Sequence, residues 1–497
     1  MEPSAPPPTT PTDEAPPTRG LRRNAIGLPG LIAQSLGVTA PELSAVIIAA
    51  VVATQAGFSV PLAFLVAGIG AVGLALVYSR FARHVPSAGG TYAIVRAGLG
   101  RDVGFFSGWV LLGVGIIFVP ALIVAASFTL QNFFQLTLPH HPFLYASWWG
   151  WAFGLAAAIL LMSYLGVRLS AATLLVLTAT GVTLLVIFDI FILARGGANG
   201  WAWASILPWR THGIGLGGFV LGVGIAMTGF SGFETAVFLS EEAELPRRKV
   251  PKAVVGAVLV ALAFFILTTF AIVSGYGTAK TPSQWPSNSA FTVVPLSAQY
   301  VHALWFGKLL LFLLAVSALA SALGTTNFTT RIAFSWGHDG YLPRAFGRTQ
   351  PRFRTPDVAI LALTVITAAM FIAGLIWKGA SLNDANTFFS FLLTAGATGI
   401  LPVYALVGIS GFVHSSRFGG TAVDRFVAPA ITILVVVAAE VTVFYPVPMS
   451  PFKYAPYFMI AWAAIGIVAL VLTRARVAAV ELEAERRQGE LTPTPAV

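Results

Sequence analysis

The chain has no cysteine among its 497 residues, so disulfides, thiolate catalysis and cysteine metal sites are all excluded. Charge is scarce as well: Asp, Glu, Lys and Arg together make up 10% of the residues, of which only 19 are acidic. The seven histidines, His84, His140, His141, His212, His302, His338 and His414, are scattered, and no two have ligand spacing on a shared helix. This reading therefore expects no metal and no cofactor. No Walker-type phosphate loop occurs, so the chain is not powered by its own ATP hydrolysis; the glycine-rich Gly213-Ile-Gly-Leu-Gly217 follows no strand pattern. Clustered nucleophiles and bases are missing too, which argues against an enzyme.

Apolar residues fill the space that charge leaves. They account for 57% of the chain, and the mean hydropathy is +0.82, the composition of a polytopic membrane protein. At about 20 apolar residues per crossing, the pattern gives twelve spans: 28–55, 59–80, 103–130, 147–166, 170–194, 214–240, 252–275, 304–333, 357–378, 387–412, 427–446 and 454–473. The flanks, 1–26 and 475–497, are rich in Pro, Thr and mixed charge and read as tails. The start has no short apolar core followed by a cleavage site, so the first span is expected to be retained.

Lys and Arg set the orientation. With the N-terminus inside, 23 of the 29 basic residues fall in inner segments, leaving Arg195, Arg210, Lys280, Lys308, Lys378 and Lys453 outside. The positive-inside rule then places both termini in the cytoplasm, with the chain in the plasma (inner) membrane. The formal charge of +10 is explained by these loops, so nucleic acid is not an expected partner; the lipid bilayer is.

The sixth span is interrupted. Gly229-Phe-Ser-Gly-Phe-Glu234 places two glycines where lipid would penalise open backbone, and Ser231 and Glu234 have the spacing of a capping box for a new half-helix. The same grammar recurs in the first span as Thr39-Ala-Pro-Glu42, and 192 residues separate both Thr39 from Ser231 and Glu42 from Glu234. Matching interruptions in two halves of a chain point to the midplane site of a secondary transporter. The expected substrate-binding residues are Gly37, Val38, Thr39 and Ala40 facing Thr228, Gly229, Phe230, Ser231 and Gly232. Glu42 and Glu234 are the coupling or gating candidates, with helix capping as the alternative for each. Asp189 and Glu440 also fall within spans. Ser317, Ser321, Thr325 and Thr326 on span eight read first as helix-packing hydroxyls and second as a polar path.

Three loop signatures add to this. Pro86-Ser-Ala-Gly-Gly-Thr-Tyr92 precedes Gly98, Gly100, Gly104, Gly108 and Trp109. Gly232-Phe-Glu234 precedes Glu241-Glu242 and Pro246-Arg-Arg-Lys-Val-Pro251. Arg331 precedes Asp339-Gly340, Leu342-Pro343 and Thr355-Pro356. In this order and at these spans, they resemble the amino acid, polyamine and organocation (APC) permeases over most of residues 28–412. The resemblance implies an all-α membrane fold with a five-plus-five inverted repeat of the LeuT-like kind. Residues 28–195 and 214–412 would be the two repeats within a 27–414 core, spans one and six would be discontinuous, and 415–474 would be peripheral. It also implies a secondary transporter for an amino acid or a related organic cation, driven by protons or by exchange. Backbone N–H groups of the first break would receive a carboxylate, and carbonyls ending the first half-helices an ammonium. An amine or polyamine permease without carboxylate recognition, or a non-transporting sensor of the same fold, stays open as the alternative.

Two departures stand out. Family members commonly carry no acid in the first break, where this chain has Glu42. Several carry a lysine in span five, where Leu177-Thr-Ala-Thr-Gly181 is uncharged. A carboxylate at Glu42 beside a bound substrate carboxylate would repel it by about 4 kcal/mol at 4 Å and an effective dielectric near 20. Glu42 is therefore expected either to carry a proton when an amino acid binds or to face a substrate that lacks a carboxylate.

Overall fold

A computed structural model describes residues 26–84, 90–166, 171–208, 214–240, 243–353, 355–414, 421–445 and 450–491, with the side chains of 171–175 and 474–491 outside that set. The expected N-terminal tail up to residue 25, most of the Pro86–Tyr92 signature, and Glu241 and Glu242 lie outside the described residues. The described chain is helical: α1 (Leu28–Thr39), α2 (Pro41–Leu43), α3 (Ala49–Ala56), α4 (Val60–His84), α5 (Gly90–Leu99), α6 (Arg101–Thr137), α7 (Trp148–Tyr164), α8 (Ala171–Ala194), α9 (Leu216–Thr228) and α10 (Thr235–Phe238), then α11 (Pro246–Tyr276), α12 (Thr281–Asn288), α13 (Val293–Leu296), α14 (Leu304–Asp339), α15 (Asp357–Trp377), α16 (Leu382–Val413), α17 (Ala428–Phe444) and α18 (Ala455–Leu491).

Among the described residues, ten helical stretches are long and apolar enough to cross a membrane. The expectation of twelve differs at two places. Span four is the 17-residue α7, and span six is the 13-residue α9 followed by turns and the single turn α10. The second shortfall has a local cause, since the glycines of 229–232 divide what the hydropathy pattern reads as one run.

The breaks occur where the sequence places them, but the capping residues are different. Ala40 takes a left-handed conformation (φ 45°, ψ 67°) and its N–H closes α1 on the Leu36 carbonyl at 2.9 Å. Pro41 then opens α2, having no N–H to leave unpaired. Proline at the first helical position fixes Ala40 as the N-cap, so Thr39 is still the last residue of α1 and the expected Thr39–Glu42 capping box does not form. In the second break Glu234, not Ser231, is the N-cap of α10, so Ser231 lies three residues before the helix start and the Ser231–Glu234 box does not form. The register between the breaks nevertheless persists in the backbone, because left-handed Ala40 and Gly232 (φ 108°) also stand 192 residues apart.

Between α2 and α3, Ser44–Ile48 forms a π-helical turn. The widened turn presents the Val46 carbonyl to the buried indole of Trp285 on α12, at 3.0 Å. The α6 helix runs beside α14 and α16 as a central strut, and Lys308 at the start of α14 donates to the Leu136 carbonyl at the C-terminal end of α6, at 2.8 Å.

Helix α18 is locked to α6 by a reciprocal device. Trp109 donates to the carbonyl of Trp462 at 2.8 Å, and Trp462 to that of Trp109 at 2.7 Å, with the rings stacked 4.7 Å apart. Each indole occupies a notch that a glycine four residues beyond its partner leaves open: a Cβ on Gly113 would meet Trp462 at 2.4 Å, and one on Gly466 would meet Trp109 at 2.3 Å. The two hydrogen bonds and the stack contribute roughly 2–4 kcal/mol. Gly466→Leu should therefore lower the thermal unfolding midpoint of the detergent-purified protein by several degrees. Gly154→Leu, at a glycine with open space around it, should leave that midpoint in place. Equal midpoints for the two variants would remove the clamp from the stability account.

Candidate functional site

The two breaks touch. A Cβ on Gly232 would stand 2.8 Å from the Thr39 amide nitrogen and 2.8 Å from Val38 Cγ1, so only glycine permits this approach of one break to the backbone of the other. The carbonyls released by the breaks are met by hydroxyls. Ser35 donates to Phe233 at 2.8 Å, Ser44 to Thr39 at 3.1 Å, and Ser321 of α14 to Val38 at 2.5 Å. Thr235 Oγ1 donates to the Gly232 carbonyl at 2.6 Å.

A cavity of about 60 Å³ lies beside the breaks. One wall is polar and is formed by Val38, Thr39, Ser44, Thr228, Ser231, Gly232, Glu234 and Thr235, together with Ser321 and Thr325 of α14. The lining that α6 and α16 contribute forms an apolar wall of Leu111, Val114, Phe118, Leu122, Phe389, Leu393 and Ile400, and Leu43, Ile48, Phe238 and Phe328 add apolar surface from the broken helices and α14. Of the residues expected from the sequence, Val38, Thr39, Thr228, Ser231 and Gly232 line the cavity, while Gly37, Ala40, Gly229 and Phe230 do not. Phe230 is fully buried against Phe64 and Phe265, where it packs rather than faces the cavity.

The Thr39 hydroxyl is buried in the cavity wall and has no partner. Buried hydroxyls are nearly always hydrogen-bonded, so this one is an exception at the meeting of the two broken helices.

The two acids behave differently. Glu234 lines the cavity with both carboxylate oxygens engaged: Oε2 accepts the Gly232 N–H at 3.0 Å, and Oε1 accepts the Tyr404 hydroxyl of α16 at 3.0 Å. It joins the second break to α16. Glu42 is buried but turns away from the cavity, accepting from Ser317 of α14 at 2.9 Å and lying against α8 so closely that a Cβ on Gly181 would meet its Oε1 at 2.4 Å. The uncharged patch in span five is thus the surface that receives Glu42. Asp189 accepts from Thr268 of α11 at 2.6 Å, with its other oxygen buried and unpartnered, and Glu440 on α17 also has one unpartnered oxygen. Both stand apart from the cavity lining. In the loop before α11, Glu244 pairs with Lys249, and the Glu244 N–H donates to the Ile26 carbonyl at 3.0 Å.

The apolar wall was not marked by the sequence, because its leucines and phenylalanines look like any others in a membrane helix. Tyr404, a phenol inside an apolar run, was a signal that went unread. Of the span-eight hydroxyls, Ser317 and Ser321 bond across to the first break and Thr325 lines the cavity, whereas Thr326 bonds within its own helix to Ala322.

Similarity to known proteins covers nearly the whole chain. Residues 26–470 match the family described as amino acid permease. The vacuolar cationic amino acid transporter 4 of Arabidopsis thaliana is 26% identical over 353 residues, 68% of this chain and 57% of the plant protein, so this chain spans less than two thirds of that relative. The branched-chain amino acid permease BcaP of Lactococcus lactis is 25% identical over 404 residues, 73% of this chain and 82% of its own. The methylthioribose transporter of Bacillus subtilis is 23% identical over 436 residues, 86% and 88% of the two chains. With a match of this extent on a chain of membrane-spanning helices, the protein belongs to the amino acid permease family of APC transporters.

Proposed function

We propose that this permease carries an amino acid or a related organic cation across the membrane as a secondary transporter, with the substrate held between 37–41 and 228–232. The observation that carries the reading is the cavity formed where the two breaks meet, with the unpartnered Thr39 hydroxyl in its wall. The reading places the substrate at the helix ends of both breaks, where N–H groups of the outer half-helix suit a carboxylate and carbonyls that end the preceding half-helices suit an ammonium. The relatives' names, for cationic amino acids, branched-chain amino acids and methylthioribose, do not agree on a substrate class.

The 192-residue register of Ala40 and Gly232 supports two inverted repeats, 28–195 and 214–412, with α17 and α18 peripheral. Glu234 is the gating candidate, since moving the second break away from α16 must part Tyr404 from Glu234 or Glu234 from Gly232. Glu42 is the proton-coupling candidate, held between α8 and α14 on a helix that the cycle must move.

Purified protein in liposomes tests the reading. Amino acid uptake driven by a pH gradient or by exchange is expected, and a bound substrate at a hundred times its dissociation constant should stabilise the protein by about 2.7 kcal/mol in a thermal-shift screen. Stabilisation by amines alone would select the carboxylate-free alternative, and binding without uptake would select the sensor. The orientation, drawn from the basic residues, has its own test. Cysteine-free protein accepts single probes, and an impermeant thiol reagent applied to intact cells should label Ser283→Cys and not Thr349→Cys, both at exposed positions. The reverse pattern would invert the topology.

A further inference from the structure

Resting on that reading, we infer that the transported amino acid has an uncharged, apolar side chain: the site takes a neutral aliphatic amino acid and rejects dibasic and acidic ones. The division of the cavity carries this. Its polar groups are concentrated on the breaks and on α14, where Thr39, Ser321 and Thr325 stand beside the helix ends; these groups suit the zwitterionic part that every amino acid shares. The part that differs between amino acids is left with the rest of the lining, where Leu111, Val114, Phe118, Phe389, Leu393 and Ile400 present only hydrocarbon.

A charged side chain would find no counter-ion there. Among the described lining residues there is no Lys, Arg or His, so a substrate with a second carboxylate meets no positive side chain. The single lining acid, Glu234, is occupied at one oxygen by Gly232 and at the other by Tyr404, on the side of the second break. Glu42, the other acid near the first break, is directed at Gly181 and Ser317 and does not line the cavity. A lysine or arginine head group would be desolvated against leucine and phenylalanine without compensation, which binding sites avoid.

Counterflow in proteoliposomes containing the full-length protein, with radiolabelled leucine as the probe, tests the inference. Valine, isoleucine and alanine should compete with leucine, while lysine, arginine and glutamate should compete about a hundredfold less well, equivalent to about 2.7 kcal/mol. Leu393→Asp, which sets an anion in the hydrocarbon wall, should move the preference toward lysine by tenfold or more; Ile400→Asp offers the same change from another turn of α16 should the first variant fail to fold. Lysine or arginine transported as well as leucine by the unmodified protein would overturn the apolar assignment and leave amino acid transport standing. Transport of putrescine with no movement of any amino acid would select the carboxylate-free alternative and overturn this inference, whereas movement of neither amino acids nor amines would overturn the transport reading itself.

Discussion

Gly232→Leu should abolish uptake while leaving the protein inserted in the membrane, and even Gly232→Ala should reduce uptake by about tenfold or more. Two independent penalties meet at this residue. Its φ of 108° is a conformation that costs an L-residue about 1–3 kcal/mol. Its would-be Cβ also lies 2.8 Å from the Thr39 nitrogen and 2.9 Å from the Val38 carbonyl carbon, and backbone atoms cannot rotate aside as a side chain can. The least costly response is for the breaks to part, which dismantles the polar wall of the cavity without unfolding the helices around it. Uptake assays paired with size-exclusion profiles of the detergent-extracted protein separate the two effects. Ordinary uptake by Gly232→Leu would move the substrate elsewhere. The matching hinge gives the opposite expectation: Ala40 endures a left-handed conformation that costs roughly 1–2 kcal/mol, so Ala40→Gly should leave the unfolding midpoint unchanged or raise it.

Glu42→Gln carries the second large effect. The dilemma posed by the sequence, that an acid in the first break must either be protonated or exclude substrate carboxylates, is altered by the side chain's direction, because its carboxylate points at α8 and α14 instead of into the cavity. An amide is nearly isosteric and can still meet Ser317, so binding and counterflow should survive. If Glu42 couples transport to protons as proposed, accumulation driven by a pH gradient should fall to the level reached without one. Gly181→Ala should reproduce part of that defect by displacing the carboxylate from its seat. Accumulation by Glu42→Gln that still follows the pH gradient would leave the side chain a structural partner of Ser317 and nothing more.

The sequence located both breaks because glycine, proline and an acid inside apolar runs conflict with a membrane helix, and such conflict is visible without coordinates. It misplaced their caps by one residue in the first break and three in the second. In the first, the spacing rule that suggested Thr39 ignored how strongly Pro41 dictates the residue before it. The apolar wall was invisible for a different reason. Leu393 in the cavity and Leu361 on the exposed face of α15 occupy similar apolar helices, and only packing distinguishes them. The partnership of Glu234 with Tyr404 spans 170 residues and Ser317 with Glu42 spans 275, separations at which no local pattern operates. Ten of the twelve expected spans have full crossing length; span four is the shorter α7, and span six is divided because hydropathy averages across the turns of 229–234 that hydrogen-bond geometry separates.

The Trp109–Trp462 clamp also imposes an order of events on biosynthesis. Its halves are 353 residues apart, so at about 5–20 residues per second the ribosome delivers the second tryptophan roughly 20–70 s after the first. Throughout that interval the indole N–H of Trp109 lacks its Trp462 acceptor and the Gly113 notch lacks its indole, so the central strut of the cavity wall stands without its outer brace. A chain arrested before Ala455 should therefore be degraded faster in a pulse-chase than one arrested after Leu491, although both contain every residue of the cavity.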